Sequence, residues 1–424
     1  MGRCVRLAAL VVCFALVSST ASVASPEHPR VVRANPANFT PRVVPDSVVG
    51  HPHVDAFSRS GGVVYAGGTF RTVRNAAGTR TYRRQHVMAF DASTGAVHSF
   101  APRVDGPVWS VQAVGKAVYL GGSFRNVNGV RRPGLVKVDA RTGKVRRRFN
   151  AGFDGGRVNE IHRVGRRLVV GGSIPGALVA LKPRTGRNTG YLRLRVRGEI
   201  AGSWGRTAVY HFAVSPDGKR LVAVGNFTMV AGKSRKRAFM VRLGKRPRLA
   251  RWYYKAFRKP CSSTDARRVA YLQDVDFSPH GGYFVVVSTG QISRRGELGE
   301  TVCDAAARFE TDVRHPRRPT WINYTGGDSV WSVAVTGAAV YVQGHFTWLN
   351  NAGGYQGHPV NTAVRRRGIG AINSRTGKAL GWNPDKPARI GGKDFMVTGK
   401  GLWVGSDSQR FNGEPRRGVA FAPL

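Results

Sequence analysis

Glu160, His211, Asp274 and Asp394 stand out as acids and an imidazole in a chain where Lys and Arg outnumber Asp and Glu by 67 to 23. Gathered at one point, such groups hold a hard cation, which needs several converging oxygens, or move protons as a general acid and base. A second candidate is His51-Pro52-His53-Val54-Asp55. Alternate residues of an extended segment project to one side, so His51, His53 and Asp55 have the spacing of a two-histidine, one-carboxylate metal site. A surface loop around Pro52 accounts for the same residues. Trp109 and Trp331 offer flat faces to a ligand, or equally to a core. No Gly-x-Ser-x-Gly elbow, His-Glu-x-x-His helix or phosphate loop occurs, so no common signature of a serine hydrolase, zinc protease or nucleotide-binding enzyme is present.

Residues so far apart meet only if a repeat carries them to one place. An apolar run climbs into a Gly-Gly-Ser-Phe-like corner seven times, most fully in Val118-Tyr119-Leu120-Gly121-Gly122-Ser123-Phe124. The first glycine or its replacement falls at Gly67, Gly121, Gly171, Val224, Val287, Gln343 and Gly405, steps of 50 to 63 residues. A period near 50 marks a propeller or a solenoid. Each copy reads as four strands with a turn such as Asp91-Ala92-Ser93-Thr94-Gly95 or Asp139-Ala140-Arg141-Thr142-Gly143. In these turns Asp bonds its own backbone and Gly supplies positive φ. With no sustained helical period, the chain is expected to be all-β.

Counting back from each corner aligns the innermost strands. One register reads Asp55, Trp109, Asn159, Tyr210, Gln273, Trp331 and Lys393; the next reads Ala56, Ser110, Glu160, His211, Asp274, Ser332 and Asp394. Neighbouring strand residues face opposite ways, so one register alone is expected to line the axis, and the second would gather the acids. A divalent cation in that central channel is one reading and a water-filled polar channel the other; no resident cofactor is otherwise expected.

The chain ends favour a closed ring over a solenoid. The last copy stops at Leu424 without a fourth strand, while Phe39-Thr40-Pro41-Arg42-Val43, ahead of the first copy, resembles the outer-strand ending Phe100-Ala101-Pro102-Arg103-Val104. The fold expected is therefore a seven-bladed β-propeller of four-stranded blades, closed by an N-terminal strand that completes the last blade and leaves no exposed edge. Residues 25–424 would form this single domain, with the closing strand within 25–45. Residues 1–24 read as a secretory signal: arginines, an apolar run from Leu7 to Val17, then small residues ending in Ser22-Val23-Ala24. No later stretch is long enough to cross a bilayer. Removal of the signal leaves Cys261 and Cys303, expected to pair as a disulfide in an oxidising compartment.

The formal charge is +44, and a domain this basic attracts polyanions. Arginines crowd in nearly every copy, for example Arg146-Arg147-Arg148 and Arg365-Arg366-Arg367. A solvated, arginine-biased surface and a surface that binds polyanions both fit that spread. Two long loops, Arg71 to His86 and Thr347 to Arg367, carry Tyr82, Trp348 and Tyr355. With Trp109 and Trp331 they make one face the candidate binding surface.

The corner followed by Phe124-Arg125-Asn126-Val127-Asn128-Gly129, with the turn Asp139 to Gly143, resembles the secreted bacterial β-propellers of the delta-60 repeat type. The likeness spans nearly the whole mature chain, with copies three to five drifted from the pattern. It implies architecture and assigns no substrate or reaction. The function expected is that of a secreted, monomeric, non-enzymatic binding or scaffold protein, extracellular or associated with the cell wall. Its partner would be an anionic polymer (cell-wall polymer, acidic glycan or nucleic acid) or another surface protein. An extracellular hydrolase or oxidoreductase with its active site at the central channel is the alternative.

Overall fold

Two apolar, β-branched runs joined by two residues beginning with Gly fold back on themselves, because the glycine adopts the positive φ that a twisted two-residue hairpin needs. Gly115-Lys116 does this with φ +54° at Gly115, and the pairing starts at Val114 and Ala117. The computed structural model of the protein describes residues 26–387 and 391–424. The expected secretory signal, 1–24, lies outside them. Among the described residues there is no α-helix, only strands and one 3-10 turn at Lys255–Arg258. Among the described residues no helix is long and apolar enough to cross a membrane.

Seven antiparallel meander sheets follow one plan and begin with the inner strands His53–Ser60, Val108–Val114, Val158–Val164, Ala208–Val214, Tyr271–Phe277, Ser329–Val335 and Gly392–Thr398. Each inner strand packs beside the inner strand of the next sheet, and the seventh packs beside the first. The expected four strands per copy are regular only in the fourth and fifth sheets. In the first, second, third and sixth sheets the fourth strand shrinks to a single bridge, as between Val138 and Val145. There the Asp-x-x-Thr-Gly turn spends its bonds locally: Asp139 Oδ1 accepts from the backbone of Arg141 (3.0 Å) and Thr142 (2.8 Å). The Val-Asn-Gly segment forms a small side hairpin, in which Asn126 and Val127 pair with Arg131 and Val130.

The Gly-Gly corner has two separate causes. A Cβ at Gly121 would lie 2.5 Å from Val158 Cγ1 and 2.8 Å from Ile161 Cδ1 of the next sheet, so the first glycine admits the neighbour's apolar side chains. A Cβ at Gly122 would lie 2.0 Å from the carbonyl oxygen of Pro107 in its own sheet. This second approach comes from a bulge: Val108 pairs with Gly122 and Ser110 with Gly121, leaving Trp109 unpaired. The same slip recurs at one equivalent position in all seven inner strands.

Apolar clusters lie between neighbouring sheets. One joins Tyr65, Val87 and Ala89 of the first sheet to Val111, Leu120 and Val136 of the second. Another joins Val54, Met88 and Phe90 of the first to Trp403, Val419 and Phe421 of the seventh. The sixth and seventh sheets solve their contact differently. Gln343 replaces the first glycine and donates to Asp394 O (2.8 Å) and Gly405 O (3.3 Å), while Gly392 stands where the other inner strands carry Val or Leu.

Residues 28–43 run as a strap along three sheets. His28 N donates to Thr336 O, Arg33 N to Pro423 O (2.7 Å), Ala37 N to Phe421 O (2.8 Å) and Val43 N to Arg417 O (3.1 Å). The segment is thus antiparallel to the last strand, Val419–Pro423, while its one regular stretch, Arg42–Val43, pairs with Thr72–Arg74 of the first copy. Cys261 and Cys303 form a disulfide with Cα atoms 5.7 Å apart. They pack with Ala270, Ile292 and Tyr355.

Candidate functional site

A bulge sets two adjacent residues against one on the partner strand and re-aims the strand beyond it. Strict alternation leaves one register to face a shared space, and here it is the bulged one, joined from the second register by His211. Asp55, Trp109, Asn159, Tyr210, Gln273, Trp331 and Lys393, the bulged residue of each inner strand, together line a cavity of about 560 Å³. Lys393 Nζ sits over the Trp331 ring at 4.2 Å and the Arg157 guanidinium over Trp109 at 5.6 Å. The wall is thus aromatic and cationic at once. Trp109 and Trp331, readable as core, are half-buried parts of it.

His211 also lines this funnel, while Glu160 and Asp274 lie buried beside it. His211 Nδ1 is 3.2 Å from Glu160 Oε2 and 3.1 Å from Asp274 Oδ1, and His162 Nε2 is 3.1 Å from Glu160 Oε1. Burial works against a charge on His211, but the negative charges of Asp274 and Glu160 prevail and push it up to about 10. Burial and then the charge of Glu160 hold Asp394 well above the ordinary carboxylate range. Burial, with the charge of Asp274 adding to it, raises Asp276 to about 8.

The axial acids also hold the sheets together. Asp274 Oδ2 accepts from Val333 N (2.9 Å), Asp276 Oδ2 from Val335 N (2.8 Å) and Asp394 Oδ2 from Phe57 N (2.7 Å). Ser110 does the same for Ile161 N (3.0 Å) and Gln112 for Arg163 N (2.9 Å). In each case a side chain on one inner strand satisfies an amide on the next. Each inner strand is an edge of its own sheet, and edge amides with no ladder partner need such acceptors.

At the other candidate, His53 Nε2 is 3.2 Å from Asp55 Oδ2, and His53 Nδ1 meets the carbonyl of His51 at 2.6 Å. Burial opposes protonation of His53, but Asp55 beside it outweighs this and raises it. His51 joins the pair through its backbone. Among the described residues no three His, Cys, Asp or Glu side chains are grouped as a metal ion requires. The long-loop aromatics are engaged outside the funnel: Tyr82 lies under Arg80 and Arg84, Trp348 Nε1 donates to Gly357 O (2.9 Å), and Tyr355 packs on the disulfide.

Sequence reasoning did not single out Arg157, Trp204 or Arg206, which complete the funnel wall. Trp204 is 87% exposed, the most exposed large apolar side chain described. Its position in Gly202-Ser203-Trp204-Gly205-Arg206, a segment with no apolar periodicity to bury it, was the available signal. Trp204 also borders a second cavity of about 510 Å³ that includes Asp265, Arg267, Tyr271, Thr289 and Gln291. No protein-family model matches the chain, and no curated protein is significantly similar to it.

Proposed function

We propose that the chain is a secreted seven-bladed β-propeller of the delta-60 repeat type that binds an anionic polymer at the cell surface through its axial funnel, without catalysis. The cyclic packing of the seven inner strands supports the ring, and the strap running antiparallel to Val419–Pro423 supports closure by the N-terminal segment. A leader-like N-terminus and the disulfide agree with an oxidising destination.

The observation that carries the binding reading is the funnel wall, in which the cations of Arg157 and Lys393 rest on the faces of Trp109 and Trp331. A cation held on an aromatic face keeps donors directed outward and loses little freedom on meeting an anion. The enzymatic alternative draws support from His211, which faces the funnel with Nδ1 held between two carboxylates. Against it, Asp274 and Asp394 are already committed to backbone amides of neighbouring sheets.

The test is titration of the mature protein with cell-wall polymer, acidic glycan and DNA at low and high salt. Saturable binding whose salt slope falls by about one for each of Lys393→Ala and Arg157→Ala supports the reading. Equal binding to every polyanion, abolished by salt and indifferent to both substitutions, overturns it. Catalytic turnover lost with Asp274→Ala, alongside a bound metal, would favour the enzyme.

A further inference from the structure

The funnel and the side cavity meet at Trp204, which borders both. Although its ring is exposed, its backbone is anchored: Trp204 N donates to Tyr271 Oη at 2.9 Å, and Tyr271 belongs to the side cavity. Gln273 of the funnel donates to Thr289 of the side cavity at 2.9 Å, so the two walls are tied. The disulfide backs this wall, since a Cβ at Gly290 would lie 2.4 Å from Cys261 Sγ. An exposed indole on a braced segment, between two cavities each of ligand size, has the features of a fixed stacking platform.

The wall chemistry narrows the ligand. Cations are present in both compartments, with Arg157, Arg206 and Lys393 in one and Arg267 and Arg268 in the other. Each compartment also has a carboxylate, Asp55 beside His53 (3.2 Å) or Asp265 paired with Arg267 (3.0 Å) and Arg268 (3.3 Å), and neutral amides and hydroxyls, Asn159 and Gln273 or Thr289 and Gln291. A carboxylate in a site for anions repels a ligand whose contact surface is all acceptor, and it rewards one that presents hydroxyl donors. A phosphodiester backbone lacks those donors, whereas a sugar ring bearing one carboxyl group has hydroxyls, a negative charge and an apolar face for stacking.

Resting on the binding reading above, we propose that the occupant is an acidic polysaccharide chain that runs from the axial funnel across Trp204 into the side cavity, so that the protein recognises a stretch of several uronic-acid-type units. The funnel holds one part of the chain and Arg267 with Gln291 holds the next. Length selectivity follows, because a chain engaging the second compartment gains from linkage what two separate sugars would not.

Calorimetric titration of the mature protein with galacturonides of one to six units tests this. The expected result is that the longest oligomer binds about a hundredfold tighter than the dimer, the low end of what a linked second site contributes. Trp204→Ala, or Arg267→Ala combined with Gln291→Ala, removes that gain; the double variant leaves the dimer unchanged, and Lys393→Ala weakens every length. The side chains of Trp204 and Arg267 are largely exposed, and circular dichroism of each variant verifies the fold. If the hexamer binds no tighter than the dimer, or the double variant weakens both alike, the chain-spanning proposal is wrong while the funnel reading stands. If galacturonides fail and single-stranded DNA binds with sensitivity to Trp109→Ala and Lys393→Ala, the occupant is a nucleic acid and this proposal is overturned. Indifference of every ligand to Lys393→Ala sinks the funnel reading itself.

Discussion

Replacing His211 by Leu removes the cation that separates Glu160 from Asp274. Two routes give the size of the effect. A rise from 6.5 to about 10, at about 1.4 kcal/mol per unit, sets a ceiling near 5 kcal/mol, and deleting one partner of a buried ion pair costs about 3–5 kcal/mol. The unfolded imidazole gives up its proton near 6.5 and the folded one near 10. The stabilisation is therefore complete below pH 6.5 and is lost as the pH climbs through 10. Asp276 acts with the same sign, its contribution present below the ordinary 3.8 and lost towards 8. Asp91 and Asp139, held low by hydrogen bonds from Ser93 and Thr142 respectively, act oppositely and lose their contribution as the pH falls below their ordinary value. Stability should thus peak on the acid side of neutral. Urea unfolding followed by tryptophan fluorescence at pH values of about 5.5, 7.5 and 9.5 checks this. The gap between wild type and His211→Leu should be several kcal/mol at the lowest pH and shrink at the highest. A gap independent of pH, or a Leu variant as stable as the parent, would refute the assignment of an imidazolium to the axis.

Three glycines of the second repeat should rank by what a methyl group would meet. Gly129→Ala, with φ +77° and open space, should cost about 1–2 kcal/mol. Gly121→Ala, against the side chains of Val158 and Ile161, should cost about 1–3 kcal/mol, and Gly122→Ala, against a carbonyl in its own sheet, the most; thermal unfolding gives the order. Asp394→Ala leaves the Phe57 amide unpaired and should cost about 1–3 kcal/mol, with Asp394→Asn close to wild type, read from the exchange rate of that amide. Reducing the Cys261–Cys303 link, 42 residues apart, should cost about 4 kcal/mol on the chain-entropy model and lower the midpoint of denaturant unfolding. It should also loosen galacturonide hexamer binding more than dimer binding.

The repeat and its alignment were legible because six of the seven corners keep at least one glycine at a close approach, so the motif survives where the intervening loops vary. Counting back from Gly67, Gly121 and their equivalents named the residues that reach the axis, Trp109 and Lys393 among them. What the pattern hid was the bulge. Period-two reasoning assigns neighbours such as Trp109 and Ser110 to opposite faces, whereas one extra residue brings Trp109 to the funnel wall and leaves Ser110 to accept from Ile161 N. Five corners mark that bulge with a second glycine that admits the displaced carbonyl, as Gly122 does for Pro107, while Ser288 and Ser406 stand at the same place in the fifth and seventh. The weak fourth strand was overestimated for a related reason. Its turn residues are strong local signals, but Asp139 bonds within its own turn and directs little into a ladder. The side cavity could not be read from spacing, because Trp204, Asp265 and Gln291 come from loops whose meeting is set by the sheets beneath them.

Similar sheets in one chain can dock beside the wrong neighbour, a standing hazard of repeat proteins during folding. The exchange between the sixth and seventh sheets acts as an address label. Gln343 fills the space left by Gly392, where a Cβ would come within 1.9 Å of its amide oxygen. The other six inner strands carry Val or Leu at the position of Gly392, so each would collide with Gln343 and be turned away. The seventh sheet in turn would leave a hole against any corner that kept its first glycine. One reciprocal swap of large for small thereby matches the sixth sheet to the seventh and to none of the other inner strands.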